Sequence, residues 1–522
     1  MRHALVAAVA VLLAAGCAGD DPLPDLASTA TTAPASTTLP AAESTSPSTT
    51  GTPVEVEPQD WALPGADYGN SRAAVGSSIT SANIDTLSMV WSAEFGGTLS
   101  TVPIVADGVV YTQSGSGSVH AVDAETGEAI WTSTATGFNI GPFGAAIADG
   151  RVFAVYGSSG VVALDAETGE ELWVREIIAT PTTGIDIQPV VYDGLVMVST
   201  VPVSIGGIYV GGDRGVLHAL DAVTGEVVWT FDTVDSEDLW GNPDVNSGGG
   251  AWYPPAIDVA RGLIYWGVAN PAPFPGTAEF PNGSSRPGPN LYTNSAVALD
   301  IATGELQWYH QVIPHDIFDR DLVHIMLVDL DTGSDSAAKE IVIATGKGGT
   351  VVGIDPTGEP LWETPVGRHE NDDLDELTGE TTVYPGTYGG VLTPPASQDG
   401  IVYVATLNAP TRLVPDATAY FGSELGTGPG EVVAIDAATG GVLWATSVPG
   451  DPLGGVTVVN DLVLTALLDG RILALARDTG EIMYELATPG GINGWMSVVG
   501  DRIFVPVGQA GPPQVIAYEV AS

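Results

Sequence analysis

The sequence predicts an all-β chain, an eight-bladed β-propeller, from three observations. One phrase recurs along it, each copy follows short β-branched runs, and the two chain ends each supply part of one further copy. The phrase reads AVDAETGEAIW at 121–131, ALDAETGEELW at 163–173, ALDAVTGEVVW at 219–229, ALDIATGELQW at 298–308 and AIDAATGGVLW at 434–444. Two looser copies, GIDPTGEPLW and ALARDTGEIMY, end at Trp362 and Tyr484. Each copy follows a run rich in Val, Ile and aromatic residues behind an Asp-Gly or similar turn, as in ADGVVYT and NDLVLTAL. Each unit therefore reads as strand, strand, tight turn, strand. The nearest copies lie roughly 40 residues apart, the length of a four-stranded propeller blade.

Taken in order, the chain starts with Met1-Arg2-His3 and an apolar run to Gly16, the basic start and short hydrophobic stretch of a secretory signal. The single cysteine, Cys17, follows Ala14-Ala15-Gly16 and is the expected lipidation site of a lipobox. Residues 18–58 are Ser, Thr, Pro and Ala with almost no large apolar side chain. Such a stretch cannot bury enough surface to offset its ordering entropy, so a disordered tether is expected. The propeller is expected over 59–522. In each repeat the turn glycine supplies a backbone conformation closed to other residues, and it leaves a flat spot for a tryptophan. The eighth unit is split: RIFVPVGQAGPPQVIAYEV near the C-terminus supplies its early strands, and LSMVWSAEF near the N-terminus supplies the strand of Trp91. Pairing the two ends in one blade closes the ring and removes exposed sheet edges.

Composition narrows the partners. Acidic residues outnumber basic ones 63 to 15, and the formal net charge is −48, so a nucleic-acid or anionic-membrane surface would repel the chain. Contact with a membrane is expected only through the lipid on Cys17, with the protein exported to the outer face of the cell membrane or the periplasm. One cysteine also excludes disulfides and a Cys-x-x-Cys-His haem attachment within this chain. The histidines, His120, His218, His310, His324 and His369 among them, form no recognisable metal-binding spacing.

IPHDIFDRD at 313–321 packs three aspartates, a histidine and an arginine into nine residues. Two other stretches stand out, GGGAWYPPAIDVARGLIYWGVANPAPF at 248–274 and the leading DWALPGADYGNSRAAVGSSITSANIDTLSMVW at 60–91. Together with the tryptophan repeats these resemble the pyrroloquinoline quinone (PQQ) propeller superfamily, closest in pattern to quinoprotein alcohol dehydrogenases. The resemblance implies oxidation of an alcohol or sugar hydroxyl, of small-molecule or polymeric substrates, with electrons passed to an external acceptor. It implies PQQ together with calcium or a lanthanide as cofactors. It also implies site residues: Trp252 as the aromatic floor, Asn270, Asp319 and Asp321 as metal ligands, Asp319 as the base, and Lys347, in ATGKGGTVVGID, on the quinone oxygen. Arg214 is a further candidate for the polyanionic cofactor.

The pattern also breaks. The adjacent cysteine pair of the family is absent, Phe143 stands where an arginine is usual, Val210 and Ser100 where glutamates are, and Gly389-Gly390-Val391-Leu392 where Gly-Gly-Asn-Trp is. Read singly, Trp252 suits a core tryptophan, Asn270 before Pro271 a turn, and His315 and Asp316 the bracing of a loop. A non-catalytic propeller lipoprotein, acting as a binding or assembly scaffold at the cell surface, is the alternative these gaps leave open.

Overall fold

The computed structural model describes residues 57–521, apart from 135–136, 138, 140, 179, 206–207, 210, 331–339, 418–424, 427 and 510. Eight four-stranded antiparallel sheets follow one another in chain order, and one carries an extra strand. Blades 1 to 8 span 104–132, 146–176, 190–232, 256–311, 322–365, 396–448, 456–487 and 497–519. The last takes its outer strand from Ser88–Glu94, which pairs antiparallel with Gln514–Glu519, so the ring closes between the two ends as the sequence predicts.

In each blade the first strand is inner and buried, such as Ile104–Ala106, and the fourth is outer and half-exposed, such as Ala129–Thr132. The repeated phrase builds the outer half. In blade 1 Asp123 Oδ1 accepts hydrogen bonds from the backbone N–H of Glu125 and Thr126 and from Thr126 Oγ1, at 2.8–3.0 Å. The same Asp-x-x-Thr turn recurs at Asp165, Asp221, Asp300 and Asp436. After it the returning strand bulges and sets the aromatic opposite a small residue: Trp131 faces Ala121, Trp229 faces Ala219, and Trp362 faces Gly353.

Each tryptophan then docks on the next blade. Trp91 Nε1 donates to the carbonyl of Ala124, Trp131 to Ala166, Trp173 to Ala222 and Trp444 to Arg477. The indole lies flat on the turn glycine of that next repeat. A Cβ at Gly169, where φ is +73°, would sit 2.6 Å from Trp131 Cε3. Blade-to-blade cohesion therefore draws on a large aromatic surface and an indole hydrogen bond, joined at some junctions by further side-chain bonds such as Arg175 to the Gly225 carbonyl and Thr364 to the Gly440 carbonyl.

The leading segment spans the inner strands. The Trp61 carbonyl accepts from Val105 N in blade 1, Tyr68 O from Ile257 N in blade 4, Gly69 O from Leu327 N in blade 5, Ser71 O from Ser397 N in blade 6, and Arg72 O from Val458 N in blade 7. Arg72, 2% exposed, donates to the carbonyls of Val456, Pro64 and Met496 and to Thr457 Oγ1. Burial lowers its pKa to about 9. This segment bonds to the inner strands past the loops that precede them, at the second strand residue in blades 1, 4 and 6 and farther along in blades 5 and 7. It closes one end of the bore, and those preceding loops stand at the other.

Among the described residues no helix is long and apolar enough to cross a membrane. Cys17, the signal-like start and the Ser/Thr/Pro stretch lie outside the described residues.

Candidate functional site

The loops that precede inner strands, and those joining second to third strands, gather on one face. Asp186, Trp252, Asp319 and Asp321 come just before the inner strands Val190–Tyr192, Ala256–Asp258 and Leu322–Asp329 of blades 3, 4 and 5. Asn270 and Lys347 come just after the second strands Leu263–Val268 and Glu340–Gly346 of blades 4 and 5. Propeller topology thus brings together residues up to 161 positions apart, from Asp186 to Lys347, around a cavity of about 210 Å³.

The three aspartates of 313–321 divide into two roles. Asp316 is fully buried and builds the turn, accepting from Phe318 N (2.9 Å), Arg320 N (2.9 Å), Arg320 Nε (2.7 Å) and Asn294 Nδ2 (3.1 Å). Burial pushes its carboxyl up, but Arg320 and these amides outweigh it and hold the group below its ordinary range. That brace fixes the loop so that Asp319 and Asp321 converge on Lys347.

Lys347 Nζ lies 3.2 Å from both carboxylate oxygens of Asp319 and 2.6 Å from Asp321 Oδ2. It also stands 5.0 Å over the Trp252 ring. Asp321 Oδ1 accepts from Asn270 N at 2.8 Å, and Asn270 Nδ2 donates to the Phe318 carbonyl at 3.3 Å. All five groups form one cluster, with side chains of Asp319 and Asp321 2% and 4% exposed. Two buried carboxylates beside one ammonium cannot both be comfortable in low dielectric. Burial, together with Asp321, raises Asp319 to about 7 against the opposing pull of Lys347.

Trp252 rests on Tyr253, with ring centroids 4.6 Å apart, and Tyr253 in turn meets Trp495 and His324. The floor of the cavity is therefore Trp252, backed by a group of tilted aromatic rings. Burial pushes the Tyr253 phenol up and lowers His324 to about 3, so both are neutral.

Asp186 is a site residue that the sequence reading did not single out. It lines the cavity with Asn270, Asp321 and Lys347, and its Oδ1 is sealed from solvent without a hydrogen-bond partner. Burial first, then the charge of Asp321, raise it to about 8. The one signal in the sequence is an acidic residue inside the apolar run GIDIQPVV; no spacing rule points to it.

Arg214 is not brought in. Its backbone bridges Gly248, but its guanidinium pairs with Asp232 at 3.1 Å and donates to the carbonyls of Ser236 and Glu237. Val210 lies outside the described residues. Phe143 is buried, and Ser100 Oγ donates to the Gly141 carbonyl on the cavity rim. Among the described residues no three His, Cys, Asp or Glu side chains gather closely enough to hold a metal unaided. Over blades 4 to 6, Ile317, Phe318, Leu377, Val383 and Leu413 form a separate apolar cluster, tied by pairing of Thr381–Val383 with Thr411–Leu413.

Comparison with known proteins agrees with this architecture. The family model described as glucose/ethanol/alcohol dehydrogenase, beta-propeller domain, matches residues 178–385. The model described as outer membrane protein assembly factor BamB matches 59–206 and 428–522. The quinohemoprotein alcohol dehydrogenase of Comamonas testosteroni is 26% identical over 407 residues, which is 68% of this chain and 56% of that protein. Its crystal structure superposes with a TM-score of 0.76 at 24% identity, covering 88% of this chain and 80% of that one. A europium-containing methanol dehydrogenase gives 0.73 at 21% identity, covering 88% and 98%. The chain spans about half the length of the curated relatives it matches. The fold is a PQQ-type eight-bladed propeller, and its curated relatives include quinohemoprotein and quinoprotein alcohol dehydrogenases.

Proposed function

We propose that this chain is a quinoprotein-type dehydrogenase that oxidises an alcohol or sugar hydroxyl with PQQ and a calcium or lanthanide ion. The observation that carries the reading is the buried Asp319–Lys347–Asp321 cluster over the face of Trp252. Its parts suit the cofactor: a flat aromatic surface for a planar ring system, one ammonium for its anionic edge, and hard oxygen donors from Asn270, Asp319 and Asp321 for the ion. When bound, the quinone supplies the two-electron acceptor and the ion a Lewis acid.

The residues of the chain do the rest. Asp319, with a proton affinity near neutrality, takes the proton of the substrate hydroxyl. Lys347 stabilises the ionised form of Asp319 and, with a quinone bound, would supply the ammonium that offsets negative charge on it. Asp321, fixed by Asn270 N, keeps Lys347 from folding wholly onto Asp319. Trp252, backed by Tyr253 and Trp495, would offer the flat surface that holds a planar ring system. Electrons leave to an external acceptor. Residues 1–17 act as a lipoprotein signal with Cys17 lipidated, and 18–58 as the tether of an exported, lipid-anchored protein.

The test adds PQQ with calcium or lanthanum to the purified protein. Calorimetric binding and dye-linked turnover on a panel of alcohols are expected, and absence of both overturns the reading. The match of 59–206 and 428–522 to the assembly-factor model favours a second reading, a surface scaffold that has no need of the cluster. Under it Asp319→Ala leaves the cellular role intact.

A further inference from the structure

Three carboxylates, Asp186, Asp319 and Asp321, face one ammonium, Lys347, in or against a single cavity. Lys347 is within ion-pair distance of Asp319 and Asp321. Asp186 is the carboxylate left over: its Oδ1 is closed to solvent and accepts nothing. A buried, unpaired carboxylate oxygen is costly and rare, and is commonly completed by an ion or ordered group. Asn270 and Asp321 line the same space, so hard oxygen donors face Asp186 across it.

The surroundings are built to admit Asp186. It stands between Ile185 and Ile187, both fully buried, which anchor the loop on each side. Opposite it lies Gly141, with φ of +65°, where a Cβ would overlap the Asp186 side chain and reach Oδ2 at 2.7 Å. A residue other than glycine at 141 would push this carboxylate aside. The loop carrying Gly141 is held in turn by Ser100 Oγ on the Gly141 carbonyl.

We infer that Asp186 is a cation ligand, holding a multivalent ion between itself and Asp321 from the blade 2–3 side of the cavity. The inference rests on the metal-using reading above and adds to it the residue that balances the local charge. A divalent or trivalent ion in this space would favour the ionised form of all three carboxylates, whose combined charge then exceeds that of Lys347. Position 210, where the family resemblance implies a glutamate, is valine. Asp186 would return that charge from the loop between blades 2 and 3.

The experiment titrates the full chain with terbium(III) and follows tryptophan-sensitised emission, for which Trp252 in the cavity wall is the donor. Three variants are compared: Asp186→Asn, Gly141→Ala, which keeps every carboxylate but crowds Asp186, and Glu167→Gln on the exposed surface. We expect saturable emission from the parent chain, at least tenfold weaker binding in Asp186→Asn and Gly141→Ala, and no change in Glu167→Gln. Folding of each variant is checked by far-ultraviolet circular dichroism, and if one does not fold the other decides. Parent-like terbium affinity in a folded Asp186→Asn or Gly141→Ala overturns the role of Asp186 and leaves the metal reading standing. Absence of saturable sensitised emission in the parent chain overturns both.

Discussion

Replacing Lys347 with methionine tests the cluster without reference to any ligand. The substitution keeps an unbranched side chain of similar length and removes only the ammonium. Its partners are buried: the Asp319 and Asp321 side chains are 2% and 4% exposed, and Lys347 itself 10%. Removing one member of a buried ion pair typically costs about 3–5 kcal/mol, because the partner charge is left uncompensated in low dielectric. That penalty applies only while the carboxylates are ionised. Asp319 is already raised to about 7 by burial and by Asp321, with Lys347 holding it down, so the variant moves it higher still. A carboxyl whose folded pKa lies above its unfolded value binds the proton more tightly when folded. Stability then falls as pH rises from the unfolded value of about 4 through the folded one. The destabilisation should therefore be smaller at pH 5, where Asp319 holds its proton, and grow to about 3–5 kcal/mol at pH 9, where it does not. Urea unfolding of parent and variant at both pH values measures it. A difference that stays constant within about 0.5 kcal/mol across that range would refute the cluster as the source.

Three other outcomes are expected. Asp319→Asn should lower dye-linked turnover with PQQ and metal by roughly 10²–10⁴-fold, the usual worth of a positioned base, while PQQ affinity by calorimetry changes only a few-fold; retained turnover removes Asp319 as the base. Gly169→Ala sets a Cβ 2.6 Å from the Trp131 indole at φ +73°, and should cost about 2–4 kcal/mol in thermal or urea unfolding from strain and overpacking; a loss under about 0.5 kcal/mol contradicts the docking geometry. Arg72→Met strips hydrogen bonds from three carbonyls and Thr457 and should cost about 3 kcal/mol. It should also speed amide exchange at Val458 and Ser397, whose N–H groups bond to the leading segment; unchanged exchange there would show that Arg72 does not anchor it.

What the sequence made legible followed from repetition. Asp123, Thr126, Gly127 and Trp131 are local in sequence, and each has one physical task that repeats in blades 1 to 4 and 6 and more loosely in 5 and 7, so seven copies could be aligned against one another. Closure through Trp91 was readable because a missing strand at one end matched a spare one at the other. The site was readable only in part. Asp319 and Asp321 sit in a dense motif, and Trp252 and Asn270 in a second one, so residue type and order marked them. Asp186 has no such company, since its partners Asp321 and Lys347 are more than 130 residues away and are joined to it only by closing the ring. Arg214 is the complementary case: its place beside a suitable motif does not reveal that its guanidinium is held by Asp232 and the carbonyls of Ser236 and Glu237.

The position of the cluster follows from how the bore is filled. The leading segment lays its carbonyls on inner-strand amides of blades 4 to 7, which closes one end and leaves little room inside. The aromatic stack of Trp495, Tyr253 and Trp252 occupies the next layer. Chemistry on the axis is then possible only at the opposite mouth, where loops from different blades meet. There a buried charge can be held without a continuous strand ladder being broken, because Asp316 and Asn270 satisfy the loop backbone locally. The same plugging explains why Lys347 faces carboxylates rather than water: with the bore filled behind Trp252, an ammonium in that mouth has aromatic face below it and acidic loops on either side. Exchange of a wall residue such as Asp186 would thus alter the charge of the pocket without touching the blades, while exchange of a turn glycine would alter a blade junction without touching the pocket.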